Sequence, residues 1–71
     1  EDAIQHNLAV VQQLPTDYDS LKNLALLYQQ NGQLQESMTY ARQAQATAPE
    51  AEQPSWEQFI SNLENQVTSD N

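Results

Sequence analysis

Apolar residues recur along this chain at helical spacing, in four stretches that proline or the single glycine separates. Within each stretch most apolar positions are three or four residues apart, which places them on one face of an α-helix. These positions are Ile4, Leu8 and Val11; Leu21, Leu24, Ala25 and Tyr28; Met38, Ala41, Ala44 and Ala48; and Trp56, Phe59, Ile60, Leu63 and Val67. The pattern predicts an all-α fold without strands, with helices at about residues 2–14, 16–30, 34–48 and 54–67.

The breaks between the stretches contain residues that end helices. Pro15 and Pro49 stop the first and third helices, and Asn31-Gly32 tolerates the positive φ at which a chain reverses. An antiparallel helix should therefore follow Gly32. Residues 50–53 form an acidic connector, and residues 68–71 are expected to be a frayed tail.

Two helix starts carry a possible capping box, in which a hydroxyl residue is followed three positions later by an acid or an amide. Thr16 and Asp19 fit this pattern at the second helix, which would then begin at residue 16 or 17. Ser55 and Gln58 fit it at the fourth, which would begin at residue 54 or 55.

The stretches repeat with a period of 34 residues. Pro15 and Pro49 are separated by this interval, and it maps Ala3, Ile4 and Val10 onto Ser37, Met38 and Ala44. A 34-residue helix–turn–helix period is that of tetratricopeptide repeats.

Residues 21–49 resemble that family. Leu21, Leu24, Ala25 and Tyr28 take the large, large, small and aromatic positions of its first helix, Gly32 takes its turn, and Ala44 and Pro49 match its second helix. Two positions depart from it: Ser37 replaces the usual alanine, and Ala41 stands where a large aromatic is common. The resemblance implies antiparallel helical hairpins of a right-handed solenoid. Its parts would be the second helix of a preceding repeat at 1–15, a complete repeat at 16–49, the connector at 50–53, a C-terminal capping helix at 54–67 and the tail at 68–71.

The resemblance also implies a scaffold that binds a peptide or protein segment on its concave surface. The positions that match this surface are Asp19, Lys22, Asn23, Leu26, Gln29 and Gln30. Leu26 could anchor a ligand or contact a helix upstream. A carboxylate clamp of the kind that binds chaperone tails is disfavoured, because Pro54 and Gln58 stand where further clamp residues would be needed.

Charge and composition limit the classes of partner that the chain is expected to bind. The net charge is −8, with ten acids against Lys22 and Arg42, which disfavours nucleic acid and anionic lipid as partners. No apolar run approaches the roughly 20 residues that span a bilayer. There is no cysteine, and His6 is a lone histidine, so the sequence contains no metal, cofactor or catalytic constellation and predicts a protein that is not an enzyme. Trp56 and Phe59 are interpreted as core of the capping helix.

Apolar residues at the N-terminal end predict an interface. Ala3, Val10 and Leu14 extend the apolar surface of the first helix toward the place of a missing upstream helix. We expect an upstream repeat, a partner protein or a second copy of the chain to cover them. Two alternatives to a binding scaffold follow: an accessory appendage of a larger enzyme, and a structural oligomerisation element.

Overall fold

A computed structural model describes residues 3–69 of the chain. Its elements are α1 (Ala3–Gln13), α2 (Tyr18–Gln30), α3 (Leu34–Thr47), a 3-10 turn (Glu50–Glu52) and α4 (Gln53–Ser69). The predicted all-α character is confirmed, since the described residues contain no strand. The helix ends differ from the predicted ones by up to two residues.

The start of α2 differs from its predicted capping box. Asp17 is the N-cap, and its Oδ2 accepts a hydrogen bond from the Ser20 N–H at 3.1 Å. The pairing of Thr16 with Asp19 was therefore the wrong interpretation. The Asp17 carboxylate, one position later, satisfies the free N–H group of Ser20 and also favours the positive end of the helix dipole, so Asp17 is the better cap.

The start of α4 was also placed too late. The predicted connector folds into the 3-10 turn, in which the Glu52 N–H donates to the Pro49 carbonyl at 2.8 Å, and α4 begins at Gln53. Pro54 therefore lies in the first helical turn, where its missing N–H is no loss. Ser55 lies inside the helix and is not its cap. At the other end α4 continues to Ser69, two residues beyond the predicted end at residue 67, while residues 70 and 71 lie outside the described part.

The predicted reversal between α2 and α3 is confirmed. Gly32 has φ +81°, a conformation that L side chains rarely adopt. The Gln33 N–H donates to the Tyr28 carbonyl at 2.9 Å and the Gly32 N–H to the Gln29 carbonyl at 3.1 Å. This pair of bonds is a Schellman motif, which satisfies the last carbonyls of α2 and turns α3 back against it.

The core lies where α2, α3 and α4 pack in sequence, with α1 on the far side of α2. Small residues bring α2 and α3 close together. Ala25 and Ala41 are completely buried, and the Ser37 hydroxyl donates to the Ala25 carbonyl at 2.6 Å. The prediction that Ala25 lies at a close helix contact is confirmed. Around this contact the core is completed by Leu21, Met38, Ala44, Ala48, Trp56, Ile60 and Leu63.

The molecule is a flattened slab. Its principal extents are 35 × 31 × 13 Å, and the shortest is little more than the 8–10 Å between the axes of two packed helices. Its core is correspondingly shallow.

Candidate protein-binding groove

A groove runs between the N-terminal half of α2 and the start of α4. It is lined by Tyr18, Lys22, Leu26, Glu52, Ser55, Trp56 and Phe59, and its volume is about 250 Å³. The three α2 residues are spaced by four and therefore share one face of the helix. The other residues come from the 3-10 turn and from the first two turns of α4, which together form the second wall of the groove.

Aromatic rings form most of the apolar surface of the groove. The Trp56 and Phe59 rings meet edge to face at 5.3 Å between centroids, and the Tyr18 and Trp56 rings do so at 6.3 Å. Trp56 is buried, as predicted for a core residue. Phe59 is only half-buried, and both rings line the groove, so their interpretation as core alone was incomplete.

The Tyr18 hydroxyl links the two walls of the groove. It accepts a hydrogen bond from the Trp56 Nε1–H at 2.7 Å and donates one to a carboxylate oxygen of Glu52. Burial of the phenol, followed by the hydrogen bond to Glu52, raises the pKa of Tyr18 above its ordinary value. The hydrogen bond that the phenol donates holds the Glu52 carboxylate at the groove edge.

The groove carries one positive and one negative side chain. The Lys22 ammonium lies 5.9 Å from the centroid of the Tyr18 ring, a cation–π distance. Among the described residues Lys22 has no ion-pair partner, whereas Arg42 pairs with Glu64 at 3.1 Å on the exposed surface of α3 and α4. Lys22 is therefore available at the groove, while Arg42 is already paired elsewhere.

The six residues predicted for the concave surface lie on more than one side of α2. Lys22 and Leu26 line the groove, whereas the Asn23 amide faces α1 and donates to the Asn7 side chain at 3.5 Å. Gln30 lines a second hollow beside α1. Of the remaining two, Asp19 is exposed and Gln29 is half-buried. The structure thus places two of the six predicted residues, Lys22 and Leu26, in the groove. Leu26 remains 38% exposed on the side of α4, which is the position that the ligand-anchor alternative requires.

Five groove residues were absent from the predicted concave set: Tyr18, Glu52, Ser55, Trp56 and Phe59. A usable signal was present, because Tyr18 and Glu52 are 34 residues apart, which is the period that the sequence pattern predicts. Residues at equivalent positions of adjacent repeats are neighbours in a stacked solenoid.

The N-terminal end leaves apolar side chains in contact with solvent. Leu14 is 59% exposed and Ala3 is exposed, while Val10 is half-buried. The only described residue of α1 that is fully buried is Asn7, whose Nδ2 donates to the Ala3 carbonyl at 2.8 Å. On the α1 face that packs against α2, the Asn7 amide is therefore buried, and the predicted apolar residues Ile4, Leu8 and Val11 are half-buried.

Residues 3–69 contain no group of three or more acidic, histidine or cysteine side chains arranged to hold a metal ion. None of the four helices described here combines the length and apolar character needed to cross a membrane. No protein-family model matches the chain, and no curated protein or solved structure shows significant similarity to it.

Proposed function

We propose that this chain is part of a tetratricopeptide-like solenoid and binds a segment of another protein in the groove between α2 and α4. The observation that carries the proposal is the groove itself, which combines aromatic and aliphatic walls with one cation and one hydrogen-bonded carboxylate. Convergence of a few polar groups on an apolar concave surface is typical of binding sites.

The size of the groove favours protein side chains as its ligand. Its volume of about 250 Å³ lies below the roughly 300–1,000 Å³ of pockets that enclose small molecules and cofactors. One or two apolar side chains of a partner segment would fit. The polar groups already serve structural contacts, with the Tyr18 hydroxyl and Glu52 bonded to each other, so we propose a binding role and not a catalytic one.

The positions of the helices along the chain support a repeat of 34 residues. Advancing α1 by 34 residues gives 37–47, inside α3, and advancing α2 gives 52–64, which coincides with the end of the 3-10 turn and with α4. On this basis α2 and α4 are equivalent helices of adjacent units. The groove between them is then the concave surface on which such solenoids carry ligands.

A second candidate function is an oligomerisation element. It is favoured by the exposed Leu14 and Ala3 on α1, which a second copy of the chain could cover. This surface is separate from the groove, so the two functions are compatible.

Selection from a displayed peptide library tests the binding proposal. Peptides enriched on the wild-type chain should bind Leu26→Asp about tenfold or more weakly, because the substitution places a charge on the apolar wall. Gln35→Asp adds the same charge at an exposed site in the first turn of α3 and should leave affinity unchanged. Failure to enrich any peptide, or equal loss in the two variants, would contradict the proposal.

A further inference from the structure

We infer that the segment bound in this groove is basic: an apolar side chain enters between Leu26 and Phe59, and a neighbouring arginine or lysine pairs with Glu52. The inference rests on the proposed binding function and specifies its ligand. Glu52 carries it, because that carboxylate lies at the groove edge and is held there by the Tyr18 hydroxyl.

The Glu52 carboxylate is suited to bind a cation. One of its oxygens accepts from Tyr18, and Glu52 forms no ion pair among the described residues. A carboxylate oriented by one donor still has acceptor positions free, and a guanidinium presents its N–H groups in a planar fork that matches them. Because the Tyr18 ring is itself fixed by Trp56, the carboxylate loses little side-chain freedom when it binds.

The charge around the groove selects the same ligand. Three of the ten acids lie in the groove lining or beside Tyr18; they are Asp17, Asp19 and Glu52. Lys22 is the only cation that lines the groove among the described residues. The N-termini of α2 and α4 each add a partial charge of roughly +0.5, which still leaves the groove at about −1.

Lys22 does not reverse this preference. Its ammonium lies over the Tyr18 ring, whose hydroxyl holds the Glu52 carboxylate, so an acidic segment approaching Lys22 would be repelled by Glu52. Lys22 is therefore better placed to donate a hydrogen bond to a backbone carbonyl of the ligand than to attract an acidic chain.

Three synthetic peptides test the inference. They share a central Leu-Phe pair between Gly-Ser ends and differ only in the two residues flanking the pair, which are arginine, glutamine or glutamate. Amide shifts of the labelled chain are followed up to millimolar peptide. The arginine peptide should bind roughly three- to tenfold more tightly than the glutamine peptide, and the glutamate peptide most weakly.

Two charge variants test whether Glu52 causes the preference for the arginine peptide. Glu52→Gln should bring the arginine and glutamine peptides to nearly equal affinity, while Glu36→Gln, which removes the same charge from an exposed site in the first turn of α3, should preserve the difference. Equal affinity of all three peptides, tighter binding of the glutamate peptide or an unchanged ratio in Glu52→Gln would overturn the basic ligand but leave the groove as a binding site. If no peptide shifts the groove amides, and the library also yields no binder that depends on Leu26, the proposed function fails with it.

Discussion

Tyr18 is the residue on which the geometry of the groove depends. Its ring contacts Trp56, its hydroxyl accepts from the indole and donates to Glu52, and Lys22 lies over its face. Glu52 and Trp56, the two partners of the hydroxyl, are more than thirty residues further along the chain. The Tyr18 side chain therefore connects α2 to the start of α4.

Removal of this hydroxyl should destabilise the fold. Tyr18→Phe leaves the Trp56 indole N–H without its acceptor in a buried position, at a cost of about 1–3 kcal/mol. Tyr40→Phe is the matched control, because the Tyr40 ring stacks on Tyr28 but its hydroxyl has no hydrogen bond in the described structure. Chemical denaturation compares the two variants. Equal free energies of unfolding would show that the Tyr18 hydroxyl contributes nothing.

The raised pKa of the Tyr18 phenol predicts a loss of stability at alkaline pH. A group whose pKa is higher in the folded state adds stability that is fully present below its unfolded pKa, about 10 for tyrosine, and is lost as pH rises through the folded value. The thermal midpoint of the wild-type chain should therefore fall above about pH 10, and it should fall less in Tyr18→Phe. Parallel curves for the two proteins would rule out this linkage.

At the scale of the helices, the contact between α2 and α3 depends on the small size of Ala25. Its side chain is completely buried, and its carbonyl receives the Ser37 hydroxyl from α3. Ala25→Leu should overpack this contact and lower the free energy of unfolding by roughly 1–3 kcal/mol. Ala46→Leu, at an exposed site on α3, makes the same change where there is room and should have little effect. Thermal melting monitored by circular dichroism compares them, and equal midpoints would contradict the close packing.

The helices were predictable from local pattern, whereas their ends and the groove were not. Apolar spacing depends on nearby residues, so the existence of four helices and the turn at Gly32 followed directly from the sequence. The choice of Asp17 over Thr16 as a cap depends on a difference of a few tenths of a kcal/mol, which a pattern does not resolve. The groove depends on contacts such as Tyr18 with Glu52 that join distant parts of the chain. Of the predicted concave set, residues 22 and 26 lie in it because they share a face with Tyr18.

At the scale of the whole molecule, the exposed side of α1 predicts self-association of the isolated chain. A second copy would cover Leu14 and Val10, and Val10→Glu should shift the equilibrium toward the monomer by placing a charge in that interface. Sedimentation over a range of concentrations measures this. A monomer at every concentration, unaffected by the charge at position 10, would show that α1 needs no further partner. The groove variants should leave this equilibrium unchanged.

The flattened slab also determines how the molecule opens. The shortest extent of the molecule is 13 Å, and α1 packs chiefly on α2 and not on the other helices of the core. In such a nearest-neighbour arrangement the terminal helix detaches at lower free energy than the whole chain unfolds. Native-state hydrogen exchange should therefore show a gradient, with the amides of α1 exchanging fastest and those at the α2–α3 contact slowest. The groove is lined by α2, the 3-10 turn and α4 and not by α1, so fraying of α1 would leave it assembled.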